Sequence, residues 1–285
     1  MKNFILILIA QILSTSIFSQ NKSAFEIYSS KGEKVNYEIM MESIQKADII
    51  LFGELHNNPI AHWLQYEVSY DLLQHNYGLV FGAEMFEADN QDELDLYLKD
   101  SIDAKALDTL ARLWPNYKTD YAPLVHLAKE NNKAFIATNI PRRFANMVFK
   151  KDFEALNELS EEEKSWIAPL PIEYDPELPG YKKMMGMMGG HGGEKLPKAQ
   201  AIKDATMAHF IAKNYVEGKK FIHFHGTYHT DNYEGILWYL KKLLPDVNYI
   251  TISTVTQSEV STLESENTGK ADFIICVDEN MTTTY

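Results

Sequence analysis

Gly53-Glu54-Leu55-His56 closes the apolar run Asp48-Ile49-Ile50-Leu51-Phe52, and Gly226-Thr227-Tyr228-His229 closes the run Phe221-Ile222-His223-Phe224-His225. Both runs are short, bounded and rich in the β-branched and aromatic types that fill buried strands. A third run, Leu79-Val80-Phe81-Gly82-Ala83, ends on Glu84. Strands alternate with helical segments along the chain, which predicts an α/β fold: a mixed, largely parallel sheet flanked by helices. Ligands of open α/β sheets bind beyond the carboxyl ends of the strands, so His56, Glu84 and His229 are expected to meet in one crevice. The glycine three residues before each histidine is expected to turn the chain sharply, because glycine accepts positive φ without penalty.

Working outward, residues 35–46 read as a helix. Residues 58–74 read as a second, with Ile60, Trp63, Leu64, Val68 and Leu72 at helical spacing. Residues 90–113 read as one long acidic helical stretch. Residues 121–131, 198–215 and 233–244 read as further helices, and 134–138, 249–253 and 273–277 as further strands. The alternation breaks at about 166–197, where Pro169, Pro171, Pro176 and Pro179 forbid a long helix. From Tyr181 to Gly193 the chain reads as a short Met-rich helix that dissolves into a glycine loop. The expected organisation is a single domain over 21–285 with this helical Met/Gly/Pro-rich insertion.

The first 20 residues stand apart. Lys2 precedes an apolar stretch from Phe4 to Phe18, and polar residues follow; the run is short for a membrane span and has the layout of a secretory signal peptide. Cys276 is the only cysteine of the 285 residues, so neither an intrachain disulfide nor a thiolate metal cluster can form. No cysteine follows the leader, so a lipobox is absent; the expected location is exported, periplasmic or secreted. The formal net charge of −13 repels nucleic acid, which is excluded as a partner.

Two chemistries are open. Two imidazoles and a carboxylate suit a divalent metal with a free position for water, so His56, Glu84 and His229, with His225 as an additional ligand, form a candidate metal set. They are equally candidate catalytic residues of a metal-dependent hydrolase acting on an ester or peptide, with Glu54 as a general base and Arg142 as an anion partner. The bland alternative is a pair of capping histidines. The insertion points elsewhere: Tyr181, Met184, Met185 and Met188 fall on one helical face, a phenol above a polarizable strip. That surface suits haem, with the tyrosine or His191 as axial ligand. The alternative is a methionine stripe packed on the core. His223 and His225 share one face of their strand.

Gly53-Glu54-Leu55-His56-Asn57-Asn58-Pro59, Glu84-Met85-Phe86, Trp114-Pro115-Asn116-Tyr117, Asn139-Ile140-Pro141-Arg142 and Gln200 with Asp204-Ala205-Thr206-Met207-Ala208 resemble, in the same order, the ChaN-like haem-binding proteins of bacteria. The resemblance covers about residues 45–255. It implies a mixed α/β core with a helical excursion, and haem held at a homodimer interface by a tyrosine axial ligand in the service of iron acquisition. Tyr181 is the first carry-over for that ligand and Tyr174 the reserve. An outer-membrane haem receptor is the implied partner. The family sits in a wider group with Tiki metalloproteases and erythromycin esterases, whose shared mark is matched by His56, Glu84, His229 and Arg142. Two departures are the missing lipobox cysteine and the histidines, His223 and His225, ahead of the second motif.

Overall fold

The computed structural model describes residues 22–75, 78–187 and 193–285. The leader, Met188 and His191 lie outside the described residues. The strands are β1 (Phe25–Ser29), β2 (Lys34–Val35), β3 (Ile49–Glu54), β4 (Leu79–Glu87), β5 (Phe135–Asn139), β6 (Lys220–Gly226), β7 (Tyr249–Gln257) and β8 (Phe273–Asp278), in one sheet of order β2-β1-β8-β7-β3-β6-β4-β5. From β8 to β5 the neighbours are parallel, and β1 adds an antiparallel hairpin with β2 at the β8 edge. The two strands that carry the Gly-x-x-His motifs, β3 and β6, are adjacent, with Gly53 opposite His225 and Glu54 opposite Gly226.

β3 is buried throughout because helices cover both faces of the sheet. Ile50 and Phe52 face a core shared with α1 (Tyr37–Ile44), α2 (Pro59–Gln74) and α5 (Ala122–Glu130), where Phe81 and Phe224 pack beside them. Each fully buried ring of this kind contributes about 2–3 kcal/mol. Ile49 and Leu51 face the opposite layer, built by α9 (Lys195–Asn214) and α10 (Ile236–Leu243). A third cluster, with Phe144 and Val148 of α6 (Arg142–Lys151), joins Ile202 of α9.

The start of α2 follows from its sequence: the Asn58 side chain accepts from Ile60 N and Ala61 N, both at 3.0 Å, and Pro59 takes the first turn, where no donor is needed. The long helix expected over 90–113 is instead two, α3 (Gln91–Leu98) and α4 (Ala104–Leu110). Asp100 takes a positive φ of 57°, which ends the first, and the Asp103 side chain caps the second by accepting from Ala106 N. After the short α7 (Glu161–Lys164), with its Ser160–Glu163 capping box, the proline-rich stretch runs without a helix to α8 (Pro179–Met187).

Candidate functional site

The parallel strands end together, and their last residues build one hydrogen-bonded cluster. The Glu54 carboxylate is 1% exposed. Its Oε1 accepts from Tyr121 Oη at 2.8 Å and from His56 Nδ1 at 2.9 Å, and its Oε2 accepts from Gln65 Nε2 at 2.6 Å. The His56 carbonyl accepts from His62 Nε2 and Asn116 Nδ2, each at 3.1 Å, and its ring packs T-shaped with that of Trp114, the centroids 4.9 Å apart. The loop is pinned from outside as well. Thr284 N donates to Asn57 O, and Thr284 Oγ1 donates to Asp120 Oδ2, which also accepts from Asn116.

The second half repeats the device. His229 Nδ1 donates to Asp204 Oδ1, whose other oxygen accepts from Tyr181 Oη at 2.8 Å. His229 Nε2 donates to Glu84 Oε1 at 3.1 Å, and Glu84 Oε2 accepts from Gly226 N at 2.8 Å. Glu84 lies where the β4–β5 register shifts, and such an irregularity re-aims a side chain at a strand end. Two carboxylate–imidazole pairs, Glu54–His56 and Asp204–His229, therefore flank Glu84.

The glycines serve close approach and not a left-handed turn. Gly226 has φ −62° and ψ 136°, ordinary extended values. A methyl group there would come within 2.8 Å of His56 Nε2 and 3.5 Å of Glu84 Oε2, and one on Gly53 within 2.9 Å of the Ile252 carbonyl. The expected positive φ is thus corrected: the absent side chain at Gly226 is what lets the His56 ring and Glu84 approach across the β6 end.

The electrostatics follow from burial and pairing. Burial disfavours a charged His229, but Glu84 and Asp204 outweigh it and raise the imidazole to about 9. Burial also opposes the Glu84 charge, and His229 and His56 overcome it, leaving Glu84 well below the ordinary carboxylate value. Both His229 nitrogens act as donors, as an imidazolium requires. Burial lifts Asp204 above its usual value. For His56, burial is outweighed by the Glu54 hydrogen bond and by the Glu84 and Glu54 charges, so it too is raised. Only His56 opens appreciably to solvent, with 31% of its side chain exposed. Glu84, His229 and Asp204 are 4%, 5% and 0% exposed.

His56, Glu84 and His229 come together as expected. His225 does not join them: its Nε2 bonds Thr230 Oγ1 at 2.8 Å and its Nδ1 bonds His223 Nδ1 at 3.0 Å, while His223 reaches Thr138. Burial pushes His223 down to about 3 and His225 well below its usual value, so both are neutral core groups. His225 is corrected from metal ligand to buried hydrogen-bond partner. Among the described residues no group of three or more His, Cys, Asp or Glu side chains is arranged to hold a metal. Arg142 stands exposed at the start of α6 without an ion pair among the described residues; its neighbour Arg143 takes Asp89 instead.

In the insertion, Tyr181 is 3% exposed and Met184 8%, both packed against Ala201 of α9 with Tyr174 alongside, and Met185 is partly buried. The Tyr174 ring lies 5.6 Å from that of Tyr181, and its hydroxyl is buried without a hydrogen-bond partner among the described residues. Asp204, Gln200, Gln65 and Tyr121 complete the cluster and were not among the expected site residues. The first two lay within the recurring string quoted above; nothing in the spacing marked the others.

A family model described as haem-binding uptake, Tiki superfamily, ChaN matches residues 40–240. The chain belongs to this family. Among solved structures, ChaN of Campylobacter jejuni, described with cofacial haem binding, superposes with TM-score 0.68 at 20% identity, covering 90% of this chain and 98% of that one. A Bacillus cereus protein gives TM-score 0.51 at 12% identity over 85% of this chain and 90% of its own. An erythromycin esterase mutant in its open conformation gives 0.49 at 10% identity over 90% and 99%. No curated relative matches by sequence. The ChaN-like fold, with its mixed sheet and helical excursion, agrees with the architecture expected from the alternation of strands and helices.

Proposed function

We propose that this ChaN-like protein is exported and binds haem for haem and iron acquisition, with a tyrosine of the insertion as axial ligand. Family membership supports haem as the ligand class. The single observation that carries the site is the Tyr174 hydroxyl, buried with no hydrogen-bond partner among the described residues. A buried, unpaired phenol is costly unless something completes it, and ferric iron does so while stabilising the phenolate. Tyr181 has its hydroxyl committed to Asp204, and burial together with that carboxylate raises its pKa further than the rise to about 12 that burial gives Tyr174, so Tyr174 is the better-placed ligand. Met184, in the same cluster, supplies soft apolar surface beside it. Export rests on the leader layout of residues 1–20, homodimerisation on haem and transfer to or from an outer-membrane receptor on the family resemblance. Hemin titrated into residues 21–285, with absorption and size-exclusion mass recorded at each step, is expected to give a saturable ferric tyrosinate band and a monomer-to-dimer shift. A non-saturable spectrum at constant mass would contradict the proposal.

One observation favours a second reading, hydrolysis of an ester or peptide at the strand ends. Each imidazole is oriented by a carboxylate, and the partly exposed His56, held through Nδ1 by Glu54, is placed to take a proton from an attacking water. The metal-dependent form of this reading is disfavoured by the ligand geometry: His229 already spends both nitrogens on Glu84 and Asp204. A panel of chromogenic esters and peptides with wild type and His56→Ala tests it; activity that persists in the variant, or none in either protein, removes it.

A further inference from the structure

The carboxylate–imidazole pair at His229 is shut off from solvent, and α8 is what lies against it. Two hydrogen bonds place α8 along the second Gly-x-x-His loop and the helix beside it. At its start, Gly180 N donates to Glu234 Oε2 at 2.7 Å, and a methyl group on Gly180 would come within 2.8 Å of that oxygen, so the glycine lets the carboxylate close on the backbone. One residue on, Tyr181 Oη donates to Asp204 Oδ2 at 2.8 Å. In that loop the Asp231 carboxylate accepts from Thr227 and Ser253 and braces it. Tyr239, close to the Tyr181 hydroxyl, completes the surround and donates to Glu173 O at 2.6 Å.

We propose that α8 is a latched lid over the buried Asp204–His229–Glu84 chain, with Tyr181 as the latch, so that undocking α8 opens that chain to whatever the strand ends receive. Among the described residues the apolar hold on this helix is small: Tyr181, Met184 and Ala201 are the buried members of its cluster, with Phe153, Tyr174, Leu178 and Leu196 partly buried against it, far fewer than the residues packed under α2 or α9. A short helix with few buried apolar contacts opens locally before the domain unfolds. Its two polar anchors, Tyr181–Asp204 and Gly180–Glu234, therefore decide whether it stays shut. Tyr181 here is a positioning residue: it acts on the site through Asp204, and a ligand seated against Tyr174 in the same cluster would pull on the same helix.

Hydrogen–deuterium exchange by mass spectrometry on the protein without hemin tests this independently of whether haem binds. Tyr181→Phe keeps the ring and removes the latch; Glu234→Gln weakens the second anchor and leaves the core untouched. Each is expected to speed exchange of the amides in 179–187 by about tenfold or more, and of the 227–235 loop to a smaller degree, while β3 and β6 keep wild-type protection. Unchanged exchange in 179–187 for both variants overturns the lid, as does a uniform rise that includes β3 and β6, which would mean plain global destabilisation. Tyr181→Phe that loses the tyrosinate band of the hemin complex while exchange in α8 stays at wild type would make Tyr181 a ligand and no latch. Failure of hemin to bind any of the proteins would strike the haem proposal alone.

Discussion

The Glu54–His56 half and the Asp204–His229 half use the same chemistry in opposite settings. His56 sits on the loop between β3 and α2, and its carboxylate is held by Tyr121 and Gln65 from regular helices and helix ends of the α2/α5 layer. Its ring stays partly in water. His229 is sealed, shares two carboxylates, and takes its outermost partner, Tyr181, from the insertion. A carboxylate–imidazole pair near water can exchange protons with solvent. One inside a low-dielectric interior holds its charge and makes the surrounding elements depend on it. The Glu54–His56 half thus stays accessible at the strand ends, while the Asp204–His229 half ties α8 to the sheet through Tyr181.

Glu84 joins the halves, and removing it breaks the comparison most severely. Glu84→Ala leaves His229 short of one of its two carboxylates and the Gly226 amide without an acceptor. Urea denaturation is expected to show a loss of about 3 kcal/mol, from the lost charge-assisted hydrogen bond to His229 and the buried Gly226 amide left without an acceptor. A loss under 1 kcal/mol would mean that the halves are independent.

The next effect is pH dependence. His229 is raised from 6.5 to about 9, so its contribution is complete below pH 6.5 and disappears as pH rises through 9, which amounts to roughly 3 kcal/mol. Glu84 is held low, so its contribution is present above its ordinary value and is lost as pH falls well below it. Thermal melting should therefore drop between pH 6.5 and about 9 and level off above that. His229→Gln should flatten the drop and His56→Gln should leave most of it, because the His56 pair is screened by water. Equal flattening by both variants would erase the distinction between the halves.

Strand assignments were legible because burial on both faces gives Ile49–Phe52 and Phe221–Phe224 a continuous apolar signal. The β1–β2 hairpin was not, since an edge hairpin of five and two residues carries little pattern. The meeting of His56, Glu84 and His229 was readable from strand ends alone. The Tyr121 contact to Glu54 spans 67 positions and depends on how α5 packs, which no periodicity encodes. His225 misled for a related reason: a histidine at a strand end looks the same in sequence whether it faces the crevice or, as here, Thr230 in the core.

A smaller effect sharpens the account of the open half. Thr284→Val removes the hydroxyl that donates to Asp120 while the backbone bond to Asn57 remains. The expected cost is about 1 kcal/mol in denaturant unfolding, with α8 exchange unaffected. A change in α8 would mean that the two halves are not separately braced.

The most direct measurement is the absorption spectrum of the ferric haem complex in wild type, Tyr174→Phe and Tyr181→Phe, recorded side by side. The account predicts a tyrosinate band in wild type that survives Tyr181→Phe and is lost in Tyr174→Phe. A band that survives Tyr174→Phe unchanged would contradict it.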